Sequence, residues 1–215
     1  VATFPKQSPA GLAVTDAGRT FVTFPRWDAD VPFTVAEIVD GEPRAYPNES
    51  LNEVDEENPS EHLLNVESIH LGANGGLWIV DNGRPDFQST ISGGAKVLRV
   101  DLETNEVTHT IVLPDDVARP SSYLSGIRVD LRYGEQGTAF ITDASPSGFN
   151  GLIVVDVASC ESGRRLDLHD STRAERDFFP IVEGDRMMFQ PKGYRPSQMS
   201  LGANGIAIEA SGERL

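Results

Sequence analysis

Residues 67–113 read ESIHLGANGGLWIVDNGRPDFQSTISGGAKVLRVDLETNEVTHTIVL. Four runs in this stretch alternate or cluster aliphatic residues over strand-like lengths: Glu67-Ser68-Ile69-His70-Leu71, Leu77-Trp78-Ile79-Val80, Lys96-Val97-Leu98-Arg99-Val100-Asp101-Leu102 and Val107-Thr108-His109-Thr110-Ile111-Val112-Leu113. A period of two over a few residues is the mark of a half-buried strand. The first and second runs are joined by Ala73-Asn74-Gly75-Gly76, and the third and fourth by Glu103-Thr104-Asn105. Both are tight-turn sequences, in which Gly or Asn supplies the positive φ a hairpin needs. Four short strands joined in series make one antiparallel sheet.

The same unit recurs along the chain, and a recurring unit decides the architecture. Ala10-Gly11-Leu12-Ala13-Val14, Ser125-Gly126-Ile127-Arg128-Val129 and Asn204-Gly205-Ile206-Ala207-Ile208 repeat the first strand. Gly-containing turns follow each: Asp16-Ala17-Gly18, Glu135-Gln136-Gly137 and Ala210-Ser211-Gly212. Second strands follow at Thr20–Phe24 and Thr138–Thr142, and third strands at Phe33–Val39 and Leu152–Val157. A fourth strand is expected at Arg164-Arg165-Leu166-Asp167-Leu168. The repeats span about 9–48, 66–113, 124–169 and 203–215 of a single partial domain, 1–215. Radial repetition of four-stranded antiparallel units is a β-propeller. The expectation is therefore all-β, with three complete blades and the start of a fourth. So few blades do not close a ring, so two to three further blades are expected after Leu215, self-association of the half being the alternative.

Connections sort by length. First-to-second and third-to-fourth turns are short. Second-to-third connections (25–32, 81–95, 143–151) and inter-blade segments (48–66, 114–124, 170–203) are long and polar. Antiparallel geometry puts all the long ones at one end of the ring, and function concentrates on loops held by a rigid scaffold. Ala10, Glu67, Ser125 and Asn204 begin the innermost strands and fall at the channel mouth on that end. The loops themselves carry Arg26, Trp27, Asp81, Asn82, Arg84, Asp143 and Asn150. Asp81 and Asp143 end second strands, where an Asx-turn is the alternative to a ligand role. Arg26-Trp27 is either a packing corner or a stacking platform. Glu67 is the most pointed of these residues, because a carboxylate on a channel-lining strand is costly unless paired, hydrated or bound.

Other chemistries are excluded or unsupported. The net charge of −15 argues against nucleic acid, whose phosphates need a basic surface. No apolar run approaches the length of a membrane span. The single cysteine, Cys160, permits no internal disulfide and has no basic neighbour to activate it. The histidines at 62, 70, 109 and 169 stand in no metal-ligand spacing, and His169-Asp170-Ser171 is too short to form a nucleophilic triad. There is no phosphate-binding or dinucleotide-binding glycine motif. The N-terminus, Val1-Ala2-Thr3-Phe4-Pro5, has neither an initiator Met nor a signal peptide; either a leader has been removed or upstream sequence is missing.

Gly11–Val14 with Gly18–Arg26, Leu77–Gly83, Lys96–Leu102, Ala139–Asp143 with Gly151–Asp156, and Asn204–Ala207 together resemble the Yellow / major royal jelly protein family over nearly the whole chain. The absence of disulfide cysteines departs from the insect members and resembles a bacterial or archaeal relative. The resemblance implies a six-bladed propeller, secreted or periplasmic, with a pocket at the channel; insect relatives include binders of small aromatic amines. The wider superfamily includes gluconolactonase-like hydrolases, whose Ca²⁺ sits on Glu and Asn residues at the inner-strand starts. Asn204 fits such a ligand, but Ser125 stands where an Asn is needed and Ala10 where a Glu is needed. The expectation is no metal and no cofactor; a Ca²⁺, if present, would use Asn204 and Glu67. The function expected is a propeller that binds a small-molecule ligand at the channel mouth, through Arg26, Trp27, Glu67, Asp81, Asn82, Asp143 and Asn204. A metal-dependent lactonase- or esterase-type hydrolase is the alternative.

Overall fold

The computed structural model describes residues 3–27, 30–85, 89–190 and 195–209. Three four-stranded sheets account for most of the chain. The first blade is β1 (Leu12–Val14), β2 (Thr20–Thr23), β3 (Val35–Val39) and β4 (Glu42–Ala45). The second is β5 (Val66–Leu71), β6 (Gly76–Asp81), β7 (Lys96–Asp101) and β8 (Val107–Val112), and the third is β9 (Leu124–Asp130), β10 (Thr138–Asp143), β11 (Gly151–Asp156) and β12 (Ser162–Arg165). In each sheet the strands lie in chain order, and every neighbouring pair is antiparallel. These are propeller blades, and the ring is not closed.

Strand alternation decides how the blades stack. Leu77, Ile79, Leu98 and Val100 face the first blade and pack with its Ala13, Phe21, Val35 and Tyr46. Trp78, Val80 and Val97 face the third blade and pack with Leu124, Ile127, Val129, Ala139 and Ile141. All six residues of β6 are buried, because both of its faces are covered. On β1, Leu12 (65% exposed) and Val14 (53%) face solvent, whereas their counterparts Ile69 and Ile127, Leu71 and Val129 are at least partly buried against the preceding blade.

Several boundaries differ from the sequence expectation. The fourth strand of the third blade was expected at 164–168 but runs Ser162–Arg165, because Leu166 and Leu168 adopt positive φ (53° and 56°) and break the extended run. Asn204–Ile208, expected as a first strand, has no strand assigned; a ladder needs a paired neighbour, and none of the described residues pairs with it. The turn expected at Ala210-Ser211-Gly212 lies outside the described residues. The segment 48–66, read as a loop, opens with a short helix α1 (Glu49–Asn52), capped where Asn48 Oδ1 accepts Leu51 N–H at 2.8 Å. The segment 170–203, also read as a loop, contains two small hairpins, β13 (Ile181–Val182) with β14 (Asp185–Arg186) and β15 (Met188–Phe189) with β16 (Ser197–Gln198).

Two devices hold the inner strands in place. Thr23 Oγ1 accepts Gly11 N–H at 2.7 Å and donates to the Glu67 carbonyl of the next blade at 2.9 Å. Thr142 repeats this two blades on, accepting Gly126 N–H at 2.8 Å and donating to the Asn204 carbonyl at 2.7 Å. The approach leaves no room for a side chain, since a Cβ on Gly11 or Gly126 would lie 2.8 or 2.7 Å from those carbonyl oxygens. Asn204 thus lies where the next inner strand would begin, although it is not in a ladder.

The second device is a buried carboxylate at the end of a second strand. Asp81 accepts Leu64 N–H (2.7 Å) and Asn65 N–H (2.9 Å), the residues just before β5, and Gly83 N–H (2.9 Å) in an Asx-turn. Its counter-ion is the fully buried Lys96, whose Nζ lies 2.8 Å from Asp81 Oδ2, 2.8 Å from the Pro59 carbonyl and 2.9 Å from that of Gly94. Asp143 repeats the pattern. It accepts Tyr123 N–H (2.8 Å), just before β9, together with Ser145 N–H (3.1 Å) and the Ser122 hydroxyl (2.6 Å), and pairs with Arg164 at 2.8 Å. Removing one partner of such a pair strands the other charge in the interior. Asp81→Ala is expected to lower the urea-unfolding free energy by about 3–5 kcal/mol. The double change Asp81→Leu with Lys96→Met is expected to recover only part of that loss, because no charge is then left buried but the N–H groups of Leu64, Asn65 and Gly83 lose their acceptor.

Candidate functional site

The ends of the inner strands carry an irregularity that aims side chains into the mouth. On β5, Val66 pairs with Asp81 and Ser68 with Val80, so Glu67 is an extra residue in a β-bulge. On β9, the register likewise shifts between Leu124–Asp143 and Ile127–Ile141, around Ser125 and Gly126. Bulges re-aim side chains next to functional sites. Here they bring Glu67 and Ser125 to a cavity of about 250 Å³ that Ala10, Arg128, Asn204 and Ile206 also line.

Glu67 is the electrostatic centre of this mouth. Its Oε1 accepts the Trp27 indole N–H at 3.1 Å, and its Oε2 lies 3.3 Å from Ser125 Oγ. Burial pushes its carboxyl up to about 7, against the smaller opposing effects of those two hydrogen bonds. Ser125 Oγ lies 2.5 Å from Asn204 Oδ1. One hydroxyl proton therefore stands between two acceptors, and a protonated Glu67 resolves the conflict: Glu67 donates to Ser125 and Ser125 to Asn204.

Trp27 is 36% exposed and forms the rim. Its indole N–H is shared with the Tyr123 hydroxyl at 3.1 Å, and the Arg84 guanidinium lies 5.8 Å from the centre of the Tyr123 ring. The structure thus gathers Trp27, Glu67 and Asn204 from the sequence-based set. The other four candidates stand in the scaffold behind them. Arg26 is buried and donates to the carbonyls of Val31, Asn52, Leu63 and Leu64. Asp81 and Asp143 hold the strand ends as described above. Asn82 is buried, with Oδ1 accepting Arg84 N–H at 2.9 Å. Asn150 braces the loop after Asp143 by donating to the Asp143 and Ser145 carbonyls.

Tyr123 and Arg128 are the mouth residues whose part the sequence did not show; Ser125 stands at the mouth, as its place at an inner-strand start led one to expect, but its bulge was not foreseen. A bulge has no local signature beyond a small residue beside the strand start, and Tyr123 reaches Trp27 only across three blades.

The described mouth residues do not make a hard-cation cage. Glu67 is the one carboxylate among them, Ala10 has no side-chain oxygen, and Ser125 and Asn204 are occupied with each other. Calcium takes about 6–8 oxygens, and no cluster of three His, Cys, Asp or Glu residues suited to a metal occurs among the described residues.

A partial propeller with an acidic, indole-rimmed channel mouth is the class this geometry defines. The family model described as major royal jelly protein matches residues 65–184, more than half of the chain, and the chain belongs to that family. The match takes in Glu67, Tyr123 and Ser125, whereas Trp27 and Asn204 lie outside it. No curated protein matches the chain. No helix among the described residues is long and apolar enough to cross a membrane.

The buried carboxyl links stability to pH. Between its ordinary value of 4.5 and its folded value of about 7, the folded chain retains a proton that the unfolded chain has released. Stability therefore falls as pH rises through that window, by up to about 3 kcal/mol. Glu67→Gln is expected to remove this slope and to raise stability at pH above 7, as read from urea midpoints across the range.

Proposed function

We propose that the chain forms part of a propeller that binds a small ligand at the channel mouth, and that the ligand is aromatic and carries an amine. The observation that carries this reading is a buried carboxylate without a cation. Glu67 has hydrogen bonds to Trp27 and Ser125 but no ion pair with any Lys, Arg or His among the described residues. Arg128, which lines the same mouth, donates to its neighbouring Ile127 carbonyl at 2.6 Å. An ammonium group entering the mouth would supply the missing positive charge. The exposed indole of Trp27 beside it would stack on an aromatic body or cover the cation. Ser125 and Asn204 add polar groups that fix orientation, as small-ligand pockets require.

Calorimetry of the whole chain against a panel of aromatic amines tests the proposal. Binding is expected to tighten as pH rises through 7 and Glu67 ionises. It is expected to weaken by about tenfold or more in Glu67→Gln and in Trp27→Ala. A folded sample that gives no heat with any amine overturns it. Turnover of lactones or aryl esters that a chelator abolishes would replace it with the hydrolase reading.

A further inference from the structure

At the other end of the second and third blades, the short turns enclose a separate cleft of about 350 Å³. The second blade contributes Asn74, Trp78, Arg99 and His109, and the third contributes Leu131, Glu135, Gln136 and Val157. It is larger than the channel mouth and shares no residue with it. Its floor is apolar, with Trp78 1% and Val157 2% exposed and the half-buried Leu131 beside them. Its rim carries one cation, one anion and two amides, and it crosses a blade boundary that a ring nitrogen of His109 spans, 2.8 Å from Gln136 Oε1.

The two rim charges are not spent on each other, and the guanidinium is only partly engaged by the fold. The Arg99 guanidinium lies against the backbone of Gly76, where a Cβ would come within 2.6 Å of Nε. One of its terminal nitrogens donates to Thr108 Oγ1 at 2.8 Å, and the other is 4.0 Å from Asp101. The Asp101 carboxylate is itself held by Glu103 and Thr104 N–H groups at 2.9 and 3.1 Å. Glu135 is exposed and enters no ion pair among the described residues. Beneath them, the Trp78 indole N–H is buried with no acceptor among the described residues. It lies under the Gly72–Gly75 turn, where a Cβ on Gly72 would sit 2.7 Å from that nitrogen and 3.0 Å from Asn74 Oδ1. A buried donor left unmatched is costly, so the cleft floor lacks an acceptor just where Asn74 closes it.

An apolar floor of this size, flanked by a guanidinium whose own carboxylate partner is 4.0 Å away and by a carboxylate with no ion pair among the described residues, is complementary to a molecule with both charges and a hydrophobic body. We propose that this cleft binds a small zwitterion with an apolar side chain, a free α-amino acid of the leucine or phenylalanine kind. Its carboxylate lies on Arg99 and the Gln136 amide, its ammonium on Glu135, and its side chain over Trp78, Leu131 and Val157. The site is independent of the channel mouth and of the ligand proposed there.

The chain has two tryptophans, so a ¹⁵N-edited spectrum of the whole protein shows one indole signal for each site, and Trp27→Phe assigns them. Titration with leucine and with phenylalanine is expected to move the Trp78 signal saturably and leave Trp27 in place. Leucinamide, which lacks the carboxylate, and N-acetylleucine, which lacks the ammonium, are expected to bind about tenfold or more weakly, as is leucine to Arg99→Gln and to Glu135→Gln. The unchanged Trp27 signal reports that each variant is folded, and Glu135 lies on an exposed turn, where substitution leaves the core intact. A Trp78 signal that ignores both amino acids overturns the proposal. So does one that responds equally to the amide and acetyl forms, or to leucine in Glu135→Gln.

Discussion

The structure depends on carboxylates buried where second strands end. Asp81 and Asp143 each gather backbone N–H groups from the segment that leads into their own blade's inner strand, and each is neutralised by a buried cation, Lys96 or Arg164. An unpaired charge in such a place would be costly by several kcal/mol. Each node therefore holds the strand end, the inter-blade segment and the following loop together or not at all. The residues pinned this way, Asn65 and Tyr123, stand two positions before Glu67 and Ser125. The geometry of the mouth is thus inherited from ion pairs that never touch it.

Between the nodes, the blades are held by side-chain alternation. Because Leu77, Ile79 and Leu98 point one way and Trp78, Val80 and Val97 the other, a single sheet closes two hydrophobic layers. The threonine latches at Thr23 and Thr142 then set the spacing of neighbouring inner strands through one hydroxyl each. The second blade has Val80 in the corresponding place and makes no such latch. Across that boundary the contact is made by side chains instead, Glu67 to Ser125 and Trp27 to Tyr123. Glu67 and Ser125 thus meet at the boundary between the second and third blades, where the backbone latch is missing.

That placement explains the unusual state of Glu67. A bulge turns it out of the ladder, neighbouring inner strands enclose it, and its partners are an indole, a hydroxyl and, through that hydroxyl, an amide, none of them a cation. Low solvation without a counter-charge favours the neutral acid, and the Ser125–Asn204 contact is satisfied by that form. The carboxyl at the mouth thus takes up its negative charge only near neutral pH.

The strand pattern, its turns and the repeat were legible in the sequence, because period-two alternation and Gly or Asn turns are local and recur in register from blade to blade. The sorting of loops by length placed the mouth, and the cost of burying a carboxylate marked Glu67. The Asx-turns of Asp81 and Asp143 and the packing corner at Arg26 were among the readings the sequence offered, but not their partners: an acidic residue ending a strand reads the same whether it meets a ligand or backbone amides, and those partners lie up to dozens of residues away. The ends of the fourth strand at Leu166 and Leu168 depended on backbone angles that leucine gives no hint of. The bulges at Glu67 and Ser125 exist only in the pairing, where the inner strand sets one residue more than its partner between two matched pairs. Local alternation by itself determined the blades; pairing across blades, a matter of long-range contact, decided which of their polar residues hold the scaffold and which face the channel.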